Sequence, residues 1–341
     1  MGIRLAVPED RPAIVEFLRR HWRADSVLVT NPELFDYQYM RRSPCGFVIT
    51  EDEETGKLLG VKGFLPLNSE AEPDVTAALV LALKGSRPML NMEMQRFLEK
   101  ATHSRMMYAL GLNPNTAARI YPFFRYKTGS LHQYYKLGKT NEFRVAKIVN
   151  RPPEHPAEGG LRLIPLSDMD ELLRCFDPAE WKENRPYKDT DYIRYRYFDN
   201  PFYRYNVYGA SRNGKHADSI LITREIICME HLVIRVVDFI GRREDFSDLG
   251  TALERLMAEK PAEYIDFFCY GLPDGAAEAA GLTLRKTDDE NIIPNYFEPF
   301  VQKNVEINFF CNLHDNFLIC KADGDQDRPS VLTGSKRGEE G

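Results

Sequence analysis

Three carboxylates alternate at Asp323, Asp325 and Asp327, directly after the apolar stretch 317–320. Carboxylates this close raise one another's pKa, so Asp323 or Asp325 could act as a general base near neutrality. The alternative is an acidic turn whose side chains bond their own backbone. A calcium loop also opens Asp-x-Asp-x-Asp, but it needs Gly at its sixth position and Glu at its twelfth. Arg328 and Gly334 stand there, and no metal site is expected. Asp327 and Arg328 are instead assigned to substrate binding. Upstream, Asn295, Tyr296 and Glu298 lie between Pro294 and Pro299 among aromatic residues. A stiff aromatic loop with polar tips suits ligand recognition, and equally a packed bridge between two halves. Arg194 and Arg196 alternate with Tyr192, Tyr195 and Tyr197, a pattern that can stack a base and pair with phosphate. The histidines are isolated, and there is no Gly-x-Ser-x-Gly elbow and no P-loop. Zinc chemistry, serine hydrolysis and ATP-driven phosphoryl transfer are therefore poor assignments.

Something must hold these groups, and the chain reads as one unit written twice. Shifted by 158 residues, Ile3-Arg4-Leu5 falls on Leu161-Arg162-Leu163, Asp10 on Asp168, and Tyr37 and Tyr39 on Tyr195 and Tyr197. A constant offset over so long a stretch marks an internal repeat. Each copy opens with a short strand and a helix capped near Asp10 or near Ser167 and Asp168. Strands are expected at 45–50, 57–64 and 75–83, and again at 205–211, 218–227 and 231–241. Amphipathic helices follow at 89–100 and 249–259, then buried strands at 106–110 and 264–270. Between the copies, residues 151–160 hold three prolines and two glycines, the composition of a linker. The expected organisation is an N-terminal domain over 1–150, a linker over 151–160, a C-terminal domain over 161–330 and a disordered tail over 331–341.

This order resembles the GCN5-related N-acetyltransferase superfamily, and the most specific stretch is Tyr108 to Tyr126. That family shows a strand, an Asn, an Ala-rich helix, a Tyr and then Gly-Phe. Asn115, Ala117, Ala118 and Tyr121 match, while Phe123-Phe124 replaces the Gly-Phe. The resemblance implies an α/β (α+β) fold of two tandem domains, each a mixed, mostly antiparallel sheet flanked by helices. It implies transfer of an acyl group from acetyl-CoA or a longer acyl-CoA to a small-molecule amine, with Tyr121 protonating the departing thiolate. The family's Gly-rich phosphate loop corresponds to Lys84-Gly85-Ser86-Arg87-Pro88-Met89-Leu90-Asn91, with one Gly and two cations. Lys84, Gly85, Ser86, Arg87, Asn91, Asn113 and Asn115 are thereby the implied donor-binding residues. Segments 293–300 and 321–329 resemble proteins of surface-polysaccharide biosynthesis, which implies a nucleotide-linked amino sugar as acceptor. A Fem-like aminoacyl-tRNA-dependent transferase and a catalytically silent binding protein are rivals with the same fold.

Composition bounds these readings. With 341 residues, 43% of them hydrophobic, the chain suffices for two ordinary soluble domains. A net charge of −6 argues against a protein whose task is gripping nucleic acid. No apolar stretch approaches a membrane span. The opening seven residues break at Pro8, too short for a secretory signal, so the expected location is cytoplasmic. The six scattered cysteines read as reduced thiols.

Overall fold

The computed structural model describes residues 2–41, 45–140, 142–157, 159–324 and 326–329. Asp325 and the expected tail over 331–341 lie outside the described residues.

Along the chain, β1 (Gly2–Leu5) leads to α1 (Arg11–His21), α2 (Val27–Thr30) and α3 (Pro32–Tyr39). The strands β2 (Phe47–Glu51), β3 (Leu58–Pro66) and β4 (Asp74–Ala82) precede α4 (Leu90–Thr102), β5 (Met106–Leu110), α5 (Ala117–Ile120), β6 (Lys127–Ser130) and β7 (His132–Leu137). The order then recurs. β8 (Arg162–Leu166) is followed by α6 (Met169–Cys175), α7 (Thr190–Ile193), β9 (Asn206–Ser211), β10 (Ser219–Cys228) and β11 (His231–Gly241). Next come α8 (Gly250–Glu259), β12 (Tyr264–Tyr270), α9 (Ala276–Ala279) and β13 (Thr283–Leu284). The short β14 (Tyr296–Phe297) and β15 (Phe300–Val301) form a hairpin before β16 (Asn308–Cys311) and β17 (Ile319–Cys320).

Two sheets result, of one design. The first runs β1-β2-β3-β4-β5-β16-β6 and the second β8-β9-β10-β11-β12-β7-β13. In each, only the fourth and fifth strands, β4 with β5 and β11 with β12, pair parallel. The sixth place is filled by exchange: β16 comes from late in the chain, and β7 from before the 151–160 segment. The sheets therefore interlock. Tyr37 and Tyr195, 158 residues apart, each donate a hydroxyl to the other's backbone carbonyl, at 2.8 and 3.0 Å. Their rings stack with centroids 4.7 Å apart, so this contact joins two residues that the 158-residue offset sets against each other.

Burial explains the elements. β11 is buried from Val233 to Gly241, with Ile234 and Val236 facing one core cluster and Val237 and Ile240 another. Burial of both faces is why such strands read as continuous apolar runs. On α4, Leu90, Met94 and Leu98 recur at helical spacing and are buried, each contributing about 1.5–3 kcal/mol of transfer free energy. α4 sits close on the sheet because β3 offers Gly60. A Cβ there would meet the Met94 methyl at 3.1 Å and Leu81 O at 3.3 Å. Asp168 caps α6 by accepting the Glu171 N–H at 2.8 Å. Asp10 does not cap α1: it accepts from Arg4 and the Val7 N–H instead.

Candidate functional site

The parallel pair in each sheet splays. β4 and β5 are in register only from Asp74/Met106 to Ala77/Ala109. Beyond Ala77, β4 has no strand on that edge among the described residues, and its pairing with β3 also slips between Lys62 and Phe64. A bulge of this kind re-aims the backbone beside a site. The mouth of the splay opens into a cleft of about 240 Å³. Leu83, Ser86 and Arg87 form its loop wall, Asn91 its α4 wall, and Ala117 and Tyr121 its α5 wall.

Tyr121 is 2% exposed. Its ring stacks on Phe310 of the exchanged strand β16, centroids 3.9 Å apart, and meets Tyr126 edge-on. Lys62, rising from β3 and 1% exposed, donates to Asn91 Oδ1 at 2.9 Å and to the Tyr121 hydroxyl at 3.4 Å. No carboxylate pairs with it among the described residues. Burial pushes the Lys62 ammonium down to about 7, with the more distant Glu99 pulling the other way. Burial likewise pushes the Tyr121 phenol up, opposed by its hydrogen bond with Asn91, so it is protonated at neutral pH. Met89, just before α4, has φ +64°. That left-handed geometry is where a Gly would fit at least cost.

The corresponding splay of the second sheet is closed. β11 and β12 are in register from Val233/Tyr264 to Val236/Phe267. β17 then pairs with Cys269 and Tyr270 of β12, and the turn 321–323 packs against β11. Lys188 locks this plug, its Nζ lying 2.6 Å from Asp238 and 2.5 Å from Asp323. Cys320, Asp238 and Asp323 converge as metal ligands would, but the Lys188 ammonium sits where a cation would. Burial lowers the Lys188 pKa, yet the two carboxylates outweigh it and hold the ammonium above its ordinary value.

A larger pocket of about 380 Å³ lies between Trp22–Gln38 of the first copy and the second copy's β10, β11 and 295–301 segment. It gathers Asn295, Tyr296, Glu298, Asp327 and Arg328. It lies on the face of the first sheet where Val27 and Leu28 pack, whereas the cleft at the first splay lies on the opposite face with Leu90, Met92 and Tyr121. The pocket reaches the first splay through Gln326, which rests on Gly111 at the end of β5. Gly111 has φ +80°, and a Cβ there would meet the Gln326 amide at 2.7 Å.

The remaining sequence-derived candidates separate. Lys84 and Gly85 are exposed beside the cleft, and Arg87 pairs with Glu93. Ser86 donates to Leu83 O at 2.6 Å. Asn113 and Asn115 form an exposed turn, Asn113 Oδ1 accepting the Asn115 N–H at 2.8 Å, and neither lines the cleft. Asp323 is fully buried in the plug, with Lys188 on one side and the Cys320 N–H on the other. Arg196 is buried and pairs with Asp327 at 2.7 Å. Arg194 lines a different hollow, beside Tyr37 and Tyr195. Sequence reasoning passed over Lys62, Arg224, Arg235 and Gln326. The available signal for Lys62 and Arg235 was a lone cation inside an otherwise apolar strand.

No protein-family model matches the sequence, and no curated protein matches it. Solved structures do match. A GCN5-related N-acetyltransferase from Anabaena variabilis superposes with TM-score 0.54 at 10% identity, over 91% of this chain and 72% of that one. A protein from Enterococcus faecalis described as a probable N-acyltransferase gives TM-score 0.52 at 10% identity, over the same shares. The chain has the fold of the GCN5-related N-acetyltransferases.

Proposed function

We propose that the chain is an acyl-CoA-dependent N-acyltransferase that binds its donor in the first copy, and that the units 1–150 and 161–330 arose by duplication around the 151–160 linker. The observation that carries this reading is the open first splay with Lys62, Asn91 and Tyr121 at its mouth, beside a second splay filled by the chain itself. The acyl-CoA thioester would lie between β4 and β5, its pyrophosphate at the N-terminus of α4 near Lys84 and Arg87. The acceptor amine would enter from the opposite face, through the pocket that holds Asn295, Tyr296, Glu298, Asp327 and Arg328. A nucleotide-linked amino sugar is the acceptor we propose. The neighbour described as a probable N-acyltransferase agrees with this class of reaction.

In the transfer, the amine nitrogen forms a bond to the thioester carbonyl carbon, the C–S bond breaks, and the amine gives up a proton. The thiolate takes a proton through Tyr121. A buried phenol is a weak acid, so Tyr121 alone would deliver that proton uphill. Lys62 corrects this: its ammonium, near 7, is more acidic than a thiol at about 8.5. Proton transfer from Lys62 through the Tyr121 hydroxyl to sulfur is downhill overall. Asp323 is enclosed and ion-paired, so Glu298 on the acceptor pocket is the carboxylate that would take the proton the amine gives up.

The test is kinetic and calorimetric. Acyl-CoA titrated into the chain should bind with one site per chain. Tyr121→Phe should lower kcat by about 10²–10³-fold and leave the acyl-CoA Kd within about twofold. Absence of acyl-CoA binding would sink the reading; two sites per chain would sink the placement of the donor.

A further inference from the structure

We infer that the pocket between the copies holds a subsite for phosphate oxygens, which recognises the acceptor by a phosphate or diphosphate group rather than by its amine alone. This rests on the acyl-transfer reading only in calling the ligand an acceptor. Three buried donors on the pocket wall have no partner among the described residues: Arg224 Nε, Arg328 Nε and Asn295 Nδ2. Asn295 is 2% exposed and the Arg328 side chain 6%. The Asn295 amide has a fixed sense, because its Oδ1 accepts from Lys321 Nζ, which turns Nδ2 the other way. Arg328 Nε lies 3.9 Å from Asp327 Oδ1, beyond hydrogen-bond reach. A buried donor left without an acceptor is costly, so three on residues that line one cavity describe a wall suited to acceptor atoms it does not itself contain.

Charge counting gives the sign of the ligand. Arg235 is satisfied by Asp266, at 2.6 Å, and by the Pro294 and Asn295 carbonyls. Asp327 is satisfied by Arg196 and by the Tyr205 hydroxyl at 2.8 Å. Arg23 pairs with Asp25 at 2.9 Å. Arg224 and Arg328 are therefore left in excess at one end of the pocket. They flank the same ring, each guanidinium 5.4 Å from the Tyr203 centroid, which fixes both planar groups. Arg224 further donates to Asp327 O. Glu298, also on the pocket lining and half-buried, makes no hydrogen bond or ion pair among the described residues. An anion on two arginines and an amide, with an amine toward a carboxylate, selects a phosphorylated amine. Fixed guanidinium groups suit phosphate better than a lysine would, because their donors hold a set geometry.

Diphosphate oxygens could come from the acceptor's carrier or from CoA, and the two sources are separable. Inorganic pyrophosphate, a nucleoside diphosphate and CoA would each be titrated into the full chain. Pyrophosphate and the nucleoside diphosphate should bind at sub-millimolar Kd with the first cleft already saturated by CoA. Arg224→Gln with Arg328→Gln should weaken the nucleoside diphosphate by more than about tenfold while CoA affinity stays within about twofold. Because both arginines pack on Tyr203, Asn295→Asp is the second variant: it keeps the shape, turns one donor into a repelling charge and should weaken the same ligand by about tenfold. Pyrophosphate that fails to bind while CoA binds would overturn the subsite. Loss of CoA affinity in these variants would give the phosphate oxygens to the donor instead. Failure of CoA itself to bind would count against the acyl-transfer reading, not against this one.

Discussion

The two copies each bury a lysine at the splay, and the two are opposite in kind. Lys188 is enclosed by Asp238 and Asp323, which keep it charged. Lys62 has only neutral oxygens in contact, from Asn91 and Tyr121, and burial pushes it down to about 7. One lysine closes its splay by ion pairing; the other stands at an open mouth, poised between charge states. The second splay is filled by β17 and the 321–323 turn, and Gln326, a little further along, rests on Gly111 just after β5.

The largest expected effect lies in the closed splay. Lys188→Met leaves two carboxylates buried without a counter-charge, a defect that costs about 3–5 kcal/mol and should lower Tm by roughly 4–7 °C. The loss should be cooperative, and a triple change with Asp238→Asn and Asp323→Asn should recover part of it. A Tm within about 2 °C of the parent would mean that the plug is not held by charge, and the contrast between the copies would fall.

Much of this architecture could be read from the residues alone. The 158-residue offset located Tyr37 against Tyr195, and the structure puts those two rings face to face. Expected strands over 75–83, 106–110 and 231–241 correspond to β4, β5 and β11 within a residue or two, because each is a bounded apolar run. The exchange of β7 and β16 was not legible. Both are short strands whose partners are decided by the shape of the gap beside β5 and β12, not by their own pattern. Asp323 was chosen for its place in an acidic run, but sequence does not tell that Lys188, 135 residues earlier, closes on it. Asn295, Tyr296 and Glu298 read as polar tips among aromatics, and Asp327 and Arg328 as substrate-binding residues at the end of the acidic run; the structure sets all five on one pocket. Lys62 was overlooked because one cation in an apolar strand breaks the hydrophobic pattern less than a neighbouring glycine does.

Lys62→Met makes the next contrast. Its sign is opposite to that of Lys188→Met. The native ammonium titrates near 7 and the unfolded one near 10.5, so between these values the unfolded chain holds more protons and stability rises with pH. Below about 7 both states are charged and the burial penalty is fully present. Lys62→Met should therefore raise Tm most at pH 6, with the gain shrinking through pH 8 and gone near pH 11. The same variant should slow acyl transfer, and the alkaline limb near pH 7 in kcat should disappear with it. A limb that survives in Lys62→Met would belong to another group and remove Lys62 from the proton path.

The smallest effect belongs to the rim of the open splay. Arg87 is exposed and already paired with Glu93, and Lys84 is exposed without an ion-pair partner among the described residues. Neither sits where water is excluded, so each would meet the donor's phosphates through a screened interaction. Lys84→Ala with Arg87→Ala should raise the acyl-CoA Kd by about two- to fivefold at low salt, and by less than about twofold at 0.5 M salt. Arg87 must first release Glu93, so Lys84→Ala alone should account for most of the change. A loss above about 30-fold that persists in high salt would mean the loop folds over the donor and buries both cations. The first splay would then be closed by its ligand, as the second is closed by its own chain.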